Sequence, residues 1–137
     1  MSIQQIQITL PKMNRGYHLI DSYISEALPP LPLTGLLNLF LKHTSCALTL
    51  NENCDPSVRN DMEAAINRMA PEDNNLYTHT QEGEDDMPAH VKTSLLGNSL
   101  TIPISDKKLN LGTWQGIYLC EFRNHPSTRK LVLTVYQ

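Results

Sequence analysis

The chain has 137 residues, 40% apolar and 18% charged, with nine prolines and six glycines; this is a globular profile long enough to bury a core without disulfides or a structural metal, and it is read as one domain over residues 1–137. A formal charge of −3 leaves no basic footprint and argues against a nucleic-acid partner, while the absence of a signal peptide and of any membrane-length apolar run argues against export or membrane insertion. Cys46, Cys54 and Cys120 are odd in number and lack CxxC spacing, so they read as reduced thiols of a cytoplasmic protein, not as a disulfide frame or a thiolate zinc site.

Ile6, Ile8 and Leu10 alternate with polar residues and predict a half-buried first strand ending at Pro11. After a turn at residues 14–16, Tyr17 to Ile20 is expected to pair back as a second strand, and Asp21 or Ser22 to cap a short helix that stops before Pro29-Pro30. Residues 35–50 read as two apolar strands separated by Lys42 to Ser45, where His43, Thr44 and Ser45 offer an imidazole and hydroxyls at a strand end. Asp55-Pro56 is an N-cap followed by proline at the first helical position, so a helix is predicted to about Met69, with Val58, Met62, Ala65, Ile66 and Met69 as its apolar stripe.

From His79 to His90 the chain gathers two histidines and four carboxylates within twelve positions. Imidazole and carboxylate are the usual ligands of zinc and other divalent ions and also the commonest acids and bases, so this cluster is the leading site candidate; a solvated acidic loop is the plain alternative. Asp85 or Asp86 as N-cap, Pro88 in the first turn, and Val91 and Leu95 one turn apart predict a helix from about Met87 to Leu96, ended by Gly97. Asp86 and His90 then share one side of it, with Glu82 and Gly83 in the loop before. Further on, residues 99–104 alternate as a strand, residues 106–108 turn, and Gly-Thr-Trp-Gln-Gly at 112–116 leads into a strand through Arg123. Arg129 to Tyr136 closes the chain, expected to pair with that strand as a hairpin across His125 to Thr128. Seven or eight strands and about three helices with hairpin-length links predict an α+β domain, a mostly antiparallel sheet covered by helices.

His43-Thr44-Ser45, Asn51-Glu52-Asn53, Asp55-Pro56, His79 with Glu82-Gly83, Asp86-Met87-Pro88-Ala89-His90 and Leu111 to Ile117 occur in this order, and together they closely resemble the YjbQ family, also called the secondary thiamine-phosphate synthase family. The resemblance covers essentially the whole chain. It implies a small α+β domain assembled as a homotrimer, a site of several histidines and polar residues, and a weak or secondary thiamine phosphate synthase activity. Such a transferase joins a pyrimidine methyl pyrophosphate to a thiazole phosphate and releases pyrophosphate. One departure is visible: Asp106-Lys107-Lys108 stands where the family usually carries a glycine in the turn.

That chemistry needs phosphate ligands, a counter-charge for the departing pyrophosphate and a dry heterocycle site. Glu82, Asp85 and Asp86 are candidates to hold Mg²⁺, Thr44, Ser45, Lys92 and Arg123 to contact phosphate, and Trp114 and Gln115 to wall and orient a heterocycle; Asn51 and Asn53 join them as substrate contacts. Catalytic roles fall to His43, Glu82, Asp85 and His90. A second reading gives His43, His79 and His90, with Asp86, to Zn²⁺ in a metal-dependent hydrolase of a phosphate ester or an amide, with Glu82 or Asp85 as base. A third is a non-catalytic trimer that binds a phosphorylated metabolite or a metal. The plain alternatives remain beside them: Trp114 as core, Arg123 paired with a carboxylate, Lys92 on a solvated helix face.

Overall fold

The computed structural model describes residues 2–137. Its strands are β1 (Ile3–Leu10), β2 (Gly16–Leu19), β3 (Thr34–Leu41), β4 (Cys46–Glu52), β5 (Ser99–Ser105), β6 (Lys108–Leu109), β7 (Gln115–Glu121) and β8 (Arg129–Tyr136). Helices α1 (Asp21–Ala27), α2 (Pro56–Met69) and α3 (Asp86–Leu96) and a 3₁₀ turn at Asn74–Leu76 complete the chain. The α+β class is what the sequence predicted. The strands, however, divide into two antiparallel sheets, one of order β1-β8-β3-β5-β6 and one of order β2-β7-β4.

The two sheets face each other across a shared core. Leu37, Leu39 and Leu41 of β3, Ile102 and Ile104 of β5 and Leu131, Leu133 and Val135 of β8 meet Leu48, Ile117 and Leu119 of the smaller sheet, with Ile20 and Ile24 closing one end. Because side chains alternate along a strand, the other face of β7 carries Tyr118, Cys120 and then Phe122, which pack with Ala47 and Ala89 in a second cluster. β7 is therefore buried on both faces, which is why it reads as an uninterrupted apolar run.

Two pairings differ from expectation. β2 pairs with β7 and not with β1, and β8 pairs with β1 and β3 and not with β7. Both hydrogen-bonding edges of β7 are already taken, by β2 and β4. The chain after Glu121 must accordingly cross to the other sheet, where β8 fills the gap between β1 and β3. Residues 42–45 make the same crossing between β3 and β4. The two crossings meet at one end of the molecule, and α3 starts beside them.

Helix α2 is as the Asp55-Pro56 signal predicts: the Asp55 side chain accepts from the Ser57 amide at 2.9 Å. Its stripe is only partly used, with Ile66 buried and Met69 exposed. In α1, Asp21 does not cap. Its Oδ1 accepts from the Ile117 amide at 3.1 Å and ties the helix to β7. In α3 the inward face is Asp86, Pro88, Ala89, Lys92 and Thr93. Leu95 of the predicted apolar face is exposed instead.

The β5–β6 turn holds Asp106 at φ 51° and Lys107 at φ 63°, the left-handed region that a two-residue hairpin turn requires and that glycine or asparagine occupies most readily. Replacing Lys107 with glycine is expected to stabilise the fold by about 0.5–1 kcal/mol, the relief of the left-handed penalty less the unfolded-state entropy of glycine. A chemical denaturation midpoint that rises at unchanged slope is the measurement.

Candidate functional site

The loop into α3 is shaped by Gly83, at φ 114°, where an added Cβ would lie 2.8 Å from Asp85 Oδ1. Asp85 stands at the N-cap position, but its side chain makes no capping bond. Its Oδ2 accepts from the Asn124 amide at 2.8 Å instead. Burial pushes the Asp85 carboxyl up, yet the Asn124 amide and the Arg123 guanidinium outweigh it and hold the group below the usual carboxylate range. Arg123 Nε lies 3.0 Å from that oxygen by distance alone, without hydrogen-bond alignment, so the contact is a Coulombic pair.

One turn into the helix, Asp86 and His90 are four residues apart and His79 comes down from the preceding loop. His79 Nε2–H donates to Asp86 Oδ2 at 2.7 Å, and His90 Nε2 lies 3.1 Å from the same oxygen. The ring centroids are 5.5 Å apart, and the three potential ligand atoms lie within 4.8 Å of one another. Asp86 Oδ1 is paired with Arg123 Nη1, so the carboxylate is turned with Oδ2 toward the imidazoles. His90 Nδ1–H donates to the Thr44 carbonyl at 2.8 Å.

This last bond decides the chemistry. With its proton on Nδ1, neutral His90 aims a bare lone pair at a carboxylate oxygen, and two lone pairs 3.1 Å apart repel. A positive charge between them removes the repulsion, either a second proton on His90 or a divalent cation. Two imidazoles and one carboxylate suit Zn²⁺ or a related ion, and a carbonyl holding the far nitrogen is the usual partner of a metal-bound histidine. The residues present fit such an ion.

Beside the triad lies a cavity of about 580 Å³ bounded by His43, Thr44, His90, Thr93, Ser94, Gly97 and Asn98. His90 is common to both. No lysine or arginine lines it, so a ligand meets hydroxyls, an amide and imidazole. Thr93 and Ser94 follow His90 by three and four residues, which places them on its side of the helix; that spacing is the sequence signal for them.

His43, also expected at the metal, lies outside the group of three. Its Nε2 accepts from the Lys130 amide at 2.7 Å, which puts its proton on Nδ1 and leaves no free lone pair for a cation. Ser45 contributes its carbonyl, which accepts from Arg129. Glu82 has an exposed side chain and offers only its carbonyl, to Arg123 Nη2 at 3.0 Å. Arg123 is thus committed to acidic partners and not free for phosphate. Lys92, expected on a solvated face or against phosphate, is 1% exposed. It donates to Asn67 Oδ1 at 2.6 Å and lies over the Phe122 ring on the far side of α3 from the cavity. Burial, then the Arg15 guanidinium, brings its pKa down to about 8.

Asn51, Asn53, Trp114 and Gln115 lie at the opposite end of the β4–β7 ladder, where Asn51 pairs with Gly116 and Cys46 with Glu121. Five residues of strand, about 17 Å, separate the two ends. Asn53 Nδ2 donates to the Thr113 and Gln115 carbonyls at 3.3 Å, and Gln115 Oε1 accepts from the Gly112 amide at 2.8 Å. These polar groups staple their own loop. Trp114 is 62% exposed, so it is not core.

The family model described as "UPF0047 protein YjbQ-like" matches residues 4–137. The UPF0047 protein YjbQ of Salmonella typhimurium is 53% identical over 96% of each chain, and that of Escherichia coli O157:H7 is 48% identical over the same shares. Among solved structures, a conserved hypothetical protein of Thermus thermophilus superposes with TM-score 0.81 at 33% identity, covering 93% of this chain and 97% of that one. A Clostridium acetobutylicum protein described as of the yjbq/upf0047 family gives 0.80 at 32%, covering 95% and 98%.

Burial, then the Arg129 charge, lowers the His43 pKa below its ordinary value of 6.5. Between the lowered value and 6.5 the unfolded chain binds more protons at this position than the folded one, so its contribution to stability falls as pH falls through that window. An NMR titration should place the His43 midpoint below 6.5, and His43→Gln should flatten the acid limb of the stability profile.

Proposed function

This chain belongs to the UPF0047 YjbQ-like family, and we propose that within it His79, Asp86 and His90 hold a divalent metal ion at which a small phosphate ester is hydrolysed. The observation that carries this reading is the convergence of both histidine Nε2 atoms on Asp86 Oδ2 at 2.7 and 3.1 Å, with Thr44 holding the far side of His90. A bound Zn²⁺ supplies a Lewis acid for a phosphoryl oxygen and brings the pKa of coordinated water toward neutrality. The protein's own groups do the rest. Thr44, Ser94 and Asn98 offer neutral donors and acceptors that orient a ligand, and His43 adds an N–H donor; the buried Thr93 hydroxyl is spent on the Cys46 carbonyl. Asp86, with 3% of its side chain exposed, keeps its charge directed at the ion because Arg123 occupies its other oxygen.

The second reading is the thiamine phosphate synthase-like transfer. A volume of about 580 Å³ is ample for a heterocycle beside a phosphate. The cations expected to answer the departing pyrophosphate, Lys92 and Arg123, are engaged elsewhere, so in this reading the counter-charge would come from a divalent ion, Mg²⁺ or Zn²⁺, held by His79, Asp86 and His90. Assembly belongs to the same proposal. The outer face of the larger sheet exposes Leu36, Phe40 and Tyr136, with Phe40 opposite Val132 and Leu36 opposite Tyr136, an apolar surface suited to another copy of the chain. The number three comes from the family resemblance. Placement of the protein in the cytoplasm rests on the thiol usage; among the described residues no helix is long and apolar enough to cross a membrane.

Metal-stripped protein titrated with Zn²⁺ is expected to take up about one ion per chain. His79→Ala and His90→Ala should each weaken it by roughly 100-fold or more, with folding retained by circular dichroism, and His125→Ala should not. Affinity should fall as pH falls, since protons compete with the ion for its ligand atoms. Zinc-loaded protein that consumes a phosphate ester alone supports the hydrolase; pyrophosphate release only when thiazole phosphate and the pyrimidine pyrophosphate are both present supports the transferase. Ion binding without either turnover points to a binding protein, and no ion binding sinks the metal reading.

A further inference from the structure

We propose that Glu121 is the positioning residue of the His79–Asp86–His90 site, orienting two of its three groups from one buried carboxylate; the inference rests on the metal reading above. Glu121 ends β7 and is 1% exposed. It touches none of the three groups. Two chains of hydrogen bonds lead from it to the site.

The first runs forward along the backbone. Glu121 Oε1 accepts from the Arg123 amide at 3.1 Å and so fixes where the Arg123 side chain leaves the backbone just beyond the strand. That side chain pairs through Nη1 with Asp86 Oδ1 and donates from Nη2 to the Glu82 carbonyl at 3.0 Å. Asp86 is thereby left presenting Oδ2.

The second runs through Arg129, the first residue of β8. Its fork grips both oxygens of Glu121, Nε to Oε2 at 2.7 Å and Nη2 to Oε1 at 2.5 Å. Nη2 also reaches the Ser45 carbonyl at 3.4 Å. The next residue strengthens the hold on the same loop: the Lys42 amide donates to the Lys130 carbonyl at 3.1 Å, and the Lys130 amide donates to His43 Nε2 at 2.7 Å. Residues 42–45 are pinned on both flanks of Thr44, whose carbonyl receives His90 Nδ1–H. Fixing that carbonyl fixes the tautomer that leaves Nε2 free for an ion.

Three variants separate positioning from plain stability. Glu121→Gln keeps an acceptor for the Arg123 amide and removes the charge; Arg129→Lys keeps the charge and removes the fork. The double change Glu121→Met with Arg129→Met fills the corner with apolar atoms and leaves no unpaired charge, so it should fold even where a single change does not. Two readouts apply to each folded variant: the His90 tautomer in metal-free protein, from two-bond ¹H–¹⁵N spectra, and Zn²⁺ affinity. Wild type should keep a proton on Nδ1, held by the Thr44 carbonyl whether or not Nε2 also carries one, and the variants should show Nδ1 without its proton in part of the molecules, with zinc affinity reduced by roughly 10–100-fold. His90 remaining in the Nδ1–H form in the folded double variant, at undiminished zinc affinity, would overturn the proposal. Should wild type bind no zinc, the metal reading fails by itself, and the tautomer spectra still decide whether Glu121 positions His90.

Discussion

A strand covered on both faces with both edges paired has no free side on which to continue. β7 is such a strand: Ile117 and Leu119 enter the core between the sheets, Tyr118, Cys120 and Phe122 enter the cluster under α3, and β2 and β4 hold its edges. The crossing after Glu121 follows, as does the placement of β8 in the other sheet. The crossing between β3 and β4 meets it at the same end. The site is assembled where these two crossings and the start of α3 come together, from backbone that has left one ladder and not yet joined another.

Such a corner is rich in unpaired backbone groups, and each must be answered inside the protein. Glu121 and Arg129 answer several at once and neutralise each other where solvent does not reach. A buried pair of this kind is weak as a source of stability, because desolvation offsets most of the attraction, but losing one partner costs about 3–5 kcal/mol. Its effect here is directional. The bonds that leave the pair run outward, to the Arg123 amide and the Ser45 carbonyl, one on each of the two crossings. Asp85 and Asp86 are held in the same way, each with one oxygen committed to the Asn124–Arg123 segment. Only Asp86 keeps an oxygen for the imidazoles.

Much of this was legible locally. The Asp55-Pro56 start of α2, the Gly97 end of α3, the closing strand from Arg129 to Tyr136 and the nearness of Asp86 to His90 each rest on contacts within a few residues, and those are encoded by neighbours. Expectation and structure part where a residue's face or partner depends on distant chain. The pattern puts Leu95 on the apolar face and Lys92 in solvent or against phosphate, because apolar residues usually face inward; the fold reverses this, since Lys92 finds Asn67 and the Phe122 ring beneath the helix. His43 sits in a polar junction as expected, but which of its nitrogens remains free depends on Lys130, eighty-seven residues away.

The sequence by itself determined the elements, the antiparallel α+β class and the stretch that carries the titratable groups, since period, caps and glycine positions act through the chain's own geometry over one or two turns. Tertiary structure alone decided which edge each strand found, that the histidine cluster and the Trp114 loop lie at opposite ends of one ladder, and that Thr44 sets the tautomer of His90. Those outcomes depend on which hydrogen-bonding edges remain open once β7 is enclosed, and on carbonyls and amides that every residue but proline carries alike; side-chain pattern does not distinguish one such group from the next.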